Sequence, residues 1–429
     1  MRYHGGEQAT SRAGLTAWAT ACALLMALVF LTNWPTYQYV VLGGIVPIWY
    51  YAMPAAVVLP IFFAKPETFV RVCREPLTWW FAFYVASGAV WLLLSQGFME
   101  DATQQWRLRV LALLFFVTTA LLTAESRRLP LVLALLLTLV LASVFNWWDA
   151  LRPHFFVPLG IEGGAAGRGA GLFINSNRAA AFVVVATITL LPFVPLQMRG
   201  VLLLLGFIGV APTFSRSGLL CAGMTVMLAI ALKLINRTQV LVLVLAIPLI
   251  AAGTAMYYDV LLSSSDDPNL NRIVQRLSWF HDMQSDDSIE DRIYPAIRAW
   301  EMFLDAPITG KGVGVTSRPS LGDGTHNMYL LLMAEQGFLG LMLYLSLIGL
   351  LARRGWTLAR EAGDPRAVDV GRAMLLYAAF IAIYGFFSHS ILEEPHGIFL
   401  MAFITAAGFR KDIRSGRGEW IVHTHRVHT

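Results

Sequence analysis

The sequence predicts an all-α polytopic membrane protein of about twelve transmembrane helices, with one long, partly helical polar loop. Three observations predict it. Hydrophobic residues make up 57% of the chain and charged residues only 14%, against about a quarter charged in a soluble domain. Apolar runs long enough to cross about 30 Å of hydrocarbon recur along the whole length. One polar, basic segment, residues 259–327, interrupts them. Residues 1–429 therefore read as a single integral membrane domain, with 259–327 inserted between spans nine and ten.

The runs fall near 13–32, 38–63, 77–96, 108–124, 131–148 and 178–196. Six more fall near 201–214, 218–235, 239–258, 328–352, 372–391 and 396–409. The first follows Arg2 and Arg12 as a signal peptide would. No small-x-small cleavage site comes after it, only Asn33, Trp34 and Pro35, so it reads as an uncleaved span. The seventh and twelfth are the shortest, and Ser215–Ser217 divides the seventh from the eighth. With the N-terminus inside, 20 of the 32 Lys and Arg fall in cytoplasmic segments, and every short inner loop has at least one. That satisfies the positive-inside rule and puts both termini in the cytoplasm.

The outer segments resist that rule. The long loop carries Arg272, Arg276, Arg292, Arg298, Lys311 and Arg318, and a basic outer loop calls for an anionic ligand. Within it Ile293, Ile297, Trp300 and Leu304 recur at helical spacing, predicting an amphipathic helix from about Ile289 to Leu304, ended by Pro307. Residues 149–177 hold Gly160, Gly163, Gly164, Gly167, Gly169 and Gly171 around Arg168, an irregular backbone suited to close approach to a ligand. The net charge of +5 comes without aromatic-interleaved basic modules, so no nucleic-acid role is expected. Cys22, Cys73 and Cys221 form neither a disulfide framework nor a zinc motif. HExxH, G-x-S-x-G and P-loop patterns are missing from the sequence, so no metal or cofactor is expected.

Three residues carry the candidate chemistry. Arg216, in "TFSRSG" between two apolar runs, sits at a cost that favours a ligand-facing role, and its small neighbours allow a bulky anion close. Arg292 stands near the N-terminus of the loop helix, where free N–H groups and the helix dipole favour an anion. Arg298, six residues on, projects about 240° away and is expected in solvent or paired with Asp291, Glu301 or Asp305. His326 immediately precedes a membrane helix, whose dipole favours the neutral imidazole and so a ring able to accept a proton. Arg168, Asn177, Arg276 and Asn327 are supporting candidates. His423, His425 and His428 lie in a basic tail, and Glu393 and Glu394 serve equally well as interface anchors.

"GLFINSNRAA" (171–180), "TFSRSG" (213–218), "DRIYPAIRAWEMFLDAPITGKGVG" (291–314) and "THNMYLLLMAEQGFLG" (325–340) together resemble the O-antigen ligase family. That family belongs to a superfamily with O-antigen polymerases and protein O-oligosaccharyltransferases. The resemblance implies a GT-C-like helix arrangement in the bacterial inner membrane and an active site on the periplasmic face. It implies a donor glycan on undecaprenyl pyrophosphate and lipid A–core oligosaccharide as acceptor, with membrane lipid around both. It also implies that Arg216 and Arg292 hold the pyrophosphate and that His326 is essential.

The residues suggest a compatible mechanism of their own. A pyrophosphate leaving group needs cations and no general acid, whereas a hydroxyl of high pKa needs a base. An O-antigen polymerase or a protein O-oligosaccharyltransferase would use the same machinery on another acceptor. A twelve-helix transporter of an anionic substrate is the alternative from another class. It would show related halves and broken helices at the midplane, whereas the polar residues here gather at one face.

Overall fold

The computed structural model describes residues 4–93, 95, 99–152, 154–158, 168–263, 287–317, 324–360 and 364–409. Among these residues all regular structure is helical. In chain order the α-helices are α1 (His4–Leu31), α2 (Trp34–Leu42), α3 (Ile48–Val57), α4 (Leu59–Ala64), α5 (Pro66–Cys73) and α6 (Pro76–Leu92). Next come α7 (Met99–Glu125), α8 (Arg128–Leu151), α9 (Ser176–Leu190), α10 (Arg199–Val210) and α11 (Arg216–Ala231). The last are α12 (Arg237–Ser263), α13 (Asp287–Asp305), α14 (Met328–Arg360), α15 (Pro365–Tyr384) and α16 (Pro395–Ala407).

Each predicted apolar run overlaps helix, but the count of twelve is not reproduced. Among the described residues seven helices are long and apolar enough to cross a membrane, or eight if one bent pair is a single span. The pair begins in the second run and extends past its end, where Ile48–Ala64 and Pro66–Cys73 meet at 116°. Proline explains the fragmentation there, since Pro47, Pro54, Pro60 and Pro66 remove amide donors and crowd the preceding turn. α11 and α16 coincide with other predicted runs but are shorter apolar helices.

The helix ends that the threading assigns to one side of the membrane do meet one another. At one pole Arg199 pairs with Asp369 and Arg354 with Glu75, and Gln239 Nε2 donates to Leu196 O at 2.6 Å. At the other, Asn33 Nδ2 donates to Leu172 O (3.1 Å) and Ser95 Oγ to Val313 O (3.0 Å). The candidate site belongs to this second pole.

α14 departs most from expectation. Thirty-three residues of straight helix would reach about 50 Å, well beyond about 30 Å of hydrocarbon. The chain instead breaks at Gly337 (φ 63°, ψ −150°), a backbone region open essentially to glycine alone. Residues 328–336 fold back on the rest of the helix: the rings of Tyr329 and Tyr344 lie 4.9 Å apart, where a straight helix would separate them by about 22 Å. The run near 328–352 is therefore not one continuous span, because its first nine residues form a separate short helix.

The reversal is clasped by "ITGKGVG". Phe338 N donates to Pro307 O (2.7 Å) and Gly312 N to Glu335 O (3.0 Å). Gly314 N donates to Glu335 Oε1 (2.7 Å), and Glu335 is paired with Arg109 of α7, both side chains at most 2% exposed. A charge pair so placed needs further hydrogen bonds to offset its desolvation, and the Gly314 amide supplies one.

The loop helix forms close to where the periodicity predicts it. Its apolar stripe nevertheless does not pack inward: Ile293, Ile297, Trp300 and Leu304 are exposed. The small Ala299, with Met302, packs instead against Val315, Ala334 and Leu330. Residues 264–286, which include Arg272 and Arg276, lie outside the described residues.

Candidate functional site

Two helix N-termini and two loops form the site. α9 starts at Ser176 because Asn175 caps it, its side chain accepting from the amides of Asn177 and Arg178. α11 starts at Arg216 because Ser215 caps it, accepting from Gly218 N. Such caps satisfy amides that a helix start leaves without intrahelical partners. A hydrogen bond from Ser215 Oγ to Asn177 Oδ1 at 2.8 Å ties the two starts together. A Cβ on Gly218 would fall 2.4 Å from Ala180 Cβ, so glycine is what permits this approach.

Arg168 closes the arrangement from the glycine-rich segment. Its Nη2 donates to Asn177 Oδ1 (2.9 Å) and its Nε to Thr213 O (2.9 Å), so it binds "FINSNR" to "TFSRSG". The described glycines of this segment approach protein rather than an open site. Gly169 N donates to Pro212 O at 2.8 Å, and a Cβ on Gly169 would lie 2.0 Å from Asn146 O. Asp149 Oδ2 accepts from the amides of Ala170 (2.9 Å) and Gly171 (3.1 Å). Gly160, Gly163, Gly164 and Gly167 are outside the described residues.

His326 joins this cluster through α15. Tyr384 OH, at the end of α15, donates to Asn177 O (3.2 Å). The next residue, Gly385, accepts from Met328 N at 2.7 Å, two residues beyond His326. His326 is partly exposed with φ 47°, a left-handed turn that leads into α14. Asn327 Oδ1 accepts from Leu330 N (3.1 Å), so the structure gives this supporting candidate a local capping role.

The circuit closes through the loop between α15 and α16, whose Glu393 and Glu394 the sequence offered as interface anchors and whose His389 and Ser390 it did not single out. The His389 ring lies 5.4 Å from that of His326, edge to face. Farther along, Ser390 Oγ donates to Glu394 Oε1 (2.9 Å). Glu394 Oε1 is 2.8 Å from Arg178 Nε, and Arg178 directly follows Asn177. Glu393 is partly buried, and burial pushes its carboxyl up to about 8. The sequence signal for this loop was its density of polar residues, "SHSILEEPHG", between two apolar helices.

Of the predicted site residues, the structure thus gathers Arg216, Arg168, Asn177, His326 and Asn327 at one pole. Arg216 is exposed at the start of α11. Arg292 lies in α13, but its side chain, like all of Arg276, is outside the described residues. Arg298 Nη1 pairs with Glu301 Oε2 at 2.7 Å on the exposed side of α13, one of the pairings its position allowed. Among the described residues, no three His, Cys, Asp or Glu side chains converge as metal ligands would.

Residues 201–345 match a family model described as O-Antigen ligase. The match covers a third of the chain, from α10 to just beyond the Gly337 reversal, and contains Arg216, Arg292 and His326. It bears out the resemblance read from the motifs: this stretch is similar to the O-antigen ligase family, in a protein with several membrane-length helices among its described residues. No match is found among the curated proteins.

Proposed function

We propose that the stretch similar to the O-antigen ligase family makes the protein an inverting glycan transferase of the bacterial inner membrane, with its site on the periplasmic face. The donor is a glycan on undecaprenyl pyrophosphate and the acceptor a sugar hydroxyl of lipid A–core oligosaccharide. The observation that carries this reading is the circuit running from Asn177 through Tyr384 and Met328 to His326, and back through Glu394. It brings the arginine motif and the loop histidine to one pole although more than a hundred residues separate them.

The chemistry rests on what each group can do. His326 takes the proton of the acceptor hydroxyl as its oxygen attacks the anomeric carbon. The bond from that carbon to the pyrophosphate oxygen breaks on the opposite face, so the configuration inverts and undecaprenyl pyrophosphate departs. Arg216 and Arg292 neutralise the charge growing on that leaving group, where cations matter most. The pyrophosphate linkage supplies the driving energy, so neither nucleotide nor divalent metal is required. Removal of such a base typically costs 10²–10⁴-fold in rate.

The test is a reaction of purified protein with lipid-linked donor and three acceptors side by side: lipid A–core, growing glycan and a pilin-like peptide. Transfer to lipid A–core supports the ligase. Transfer to glycan or peptide instead assigns the same machinery to a polymerase or an O-oligosaccharyltransferase.

A further inference from the structure

We propose that Arg178 is a further donor-binding residue, its guanidinium aimed by Glu394 at an oxygen of the second phosphate of the diphosphate, beside the phosphate held by Arg216. The proposal rests on the lipid-diphosphate donor and adds a residue to its site. Its basis is a juxtaposition. Asn177 and Ser215 are joined by their side chains at 2.8 Å, and Arg178 and Arg216 are the next residue after each. Both arginines therefore spring from the first turn of helices whose starts are in contact.

The three arginines here are not equivalent. Arg168 is turned inward on Thr213 O and Asn177 Oδ1. Arg178 stays 41% exposed while its Nε rests against Glu394, which is 12% exposed. The exposed part of the Arg178 guanidinium leaves donors open to a ligand while its Nε is held by Glu394. Glu394 is itself fixed: Ser390 Oγ donates to Oε1, and Oε2 lies 3.8 Å from Nδ1 of His396, a side chain 4% exposed. That nitrogen has no hydrogen-bond partner among the described residues. A carboxylate held this way sets the direction of the guanidinium fork, the geometry that bidentate phosphate recognition needs.

Charge points the same way. The starts of α9 and α11 each present about half a positive charge, alongside Arg168, Arg178 and Arg216. Glu394 is the carboxylate that the structure sets against this group, and the neighbouring Glu393 favours its neutral form. The positive excess is a fit for the charge of a diphosphate and exceeds that of a monophosphate.

The experiment measures binding of two glycan-free probes, undecaprenyl diphosphate and undecaprenyl monophosphate, to the full chain in lipid nanodiscs. Wild type is expected to prefer the diphosphate. Arg178→Ala is expected to lose about tenfold or more for the diphosphate, since a charge-assisted hydrogen bond is removed, with little change for the monophosphate. Arg178→Lys should recover part of the loss, and Glu394→Gln should weaken the same preference with Arg178 intact. Each variant is read against an unchanged thermal midpoint, Arg178→Lys serving if the alanine variant unfolds. Undiminished preference in the Arg178 variants, with loss in Arg216→Ala, overturns the assignment of Arg178 and leaves the donor reading standing. A wild type that binds neither probe better than undecaprenol overturns the donor reading itself.

Discussion

Ser215 donates its hydroxyl hydrogen to the amide oxygen of Asn177 across 2.8 Å, and that oxygen also accepts from Arg168 Nη2 at 2.9 Å. One amide oxygen thus ties together three chain segments of the candidate site. Removing it takes the shared acceptor from the buried Ser215 and from Arg168, at about 1–3 kcal/mol. Asn177→Ala is therefore expected to lower the thermal midpoint and raise the donor KM together. Asn177→Asp keeps an acceptor for both donors but adds negative charge beside Arg168 and Arg216. It should retain the midpoint and still bind donor poorly. Thermal unfolding in detergent and donor titrations check both.

At Gly337 a Cβ would fall 2.5 Å from Ile308 O, on a backbone with φ +63°. Gly337→Ala is expected to cost more than the about 1–3 kcal/mol of a strained backbone alone, and to release His326 from its place. Gly349, in the continuous part of α14, has nothing within 4 Å of its Cβ position. Gly349→Ala should be neutral or slightly stabilising. Equal thermal midpoints for the two variants would contradict the reversal.

Arg109 and Glu335 are paired with at most 2% exposure. Arg109→Met strands Glu335 as a buried charge and should cost about 3–5 kcal/mol. The double replacement Arg109→Met with Glu335→Met should cost less than the single one, though Gly314 N then loses its acceptor. Unfolding free energies of the two variants and the wild type test the order.

The carboxyl of Glu393 is raised from 4.5 to about 8 by burial. Between those values the folded protein holds a proton that the unfolded chain has released, so stability falls as pH rises through this window. The contribution is fully present below about 4.5 and lost above about 8. Glu393→Gln removes the dependence, so its thermal midpoint should gain on wild type as pH goes from 5 to 8.5. A constant difference across that range would show that Glu393 does not titrate there.

The sequence made the pole legible through charge. An arginine between two apolar runs, and a basic segment where the positive-inside rule disfavours one, both pointed to it. Arg216 and His326 are found there, and Arg298 pairs with a neighbour that its spacing allowed. Hydropathy alone could not show that the run near 328–352 turns back on itself. The turn depends on one glycine, whose backbone angles leave no trace in an apolar window. Nor could it show that Arg178 faces Glu394, a contact between α9 and the loop before α16 made by residues over two hundred positions apart. The glycines misled for a related reason: close approach was required, but at Gly169 the partner is the backbone of α8.

In the proposed reaction His326 removes the acceptor proton while Arg216 holds the diphosphate. Donor binding and turnover, measured on the same preparations of His326→Ala and Arg216→Ala, test it most directly. His326→Ala is expected to bind lipid-linked donor as wild type does and to lose about 10²–10⁴-fold in turnover. Arg216→Ala should lose binding and turnover together. A fully active His326→Ala enzyme, or an Arg216→Ala enzyme with unimpaired donor binding, would contradict it.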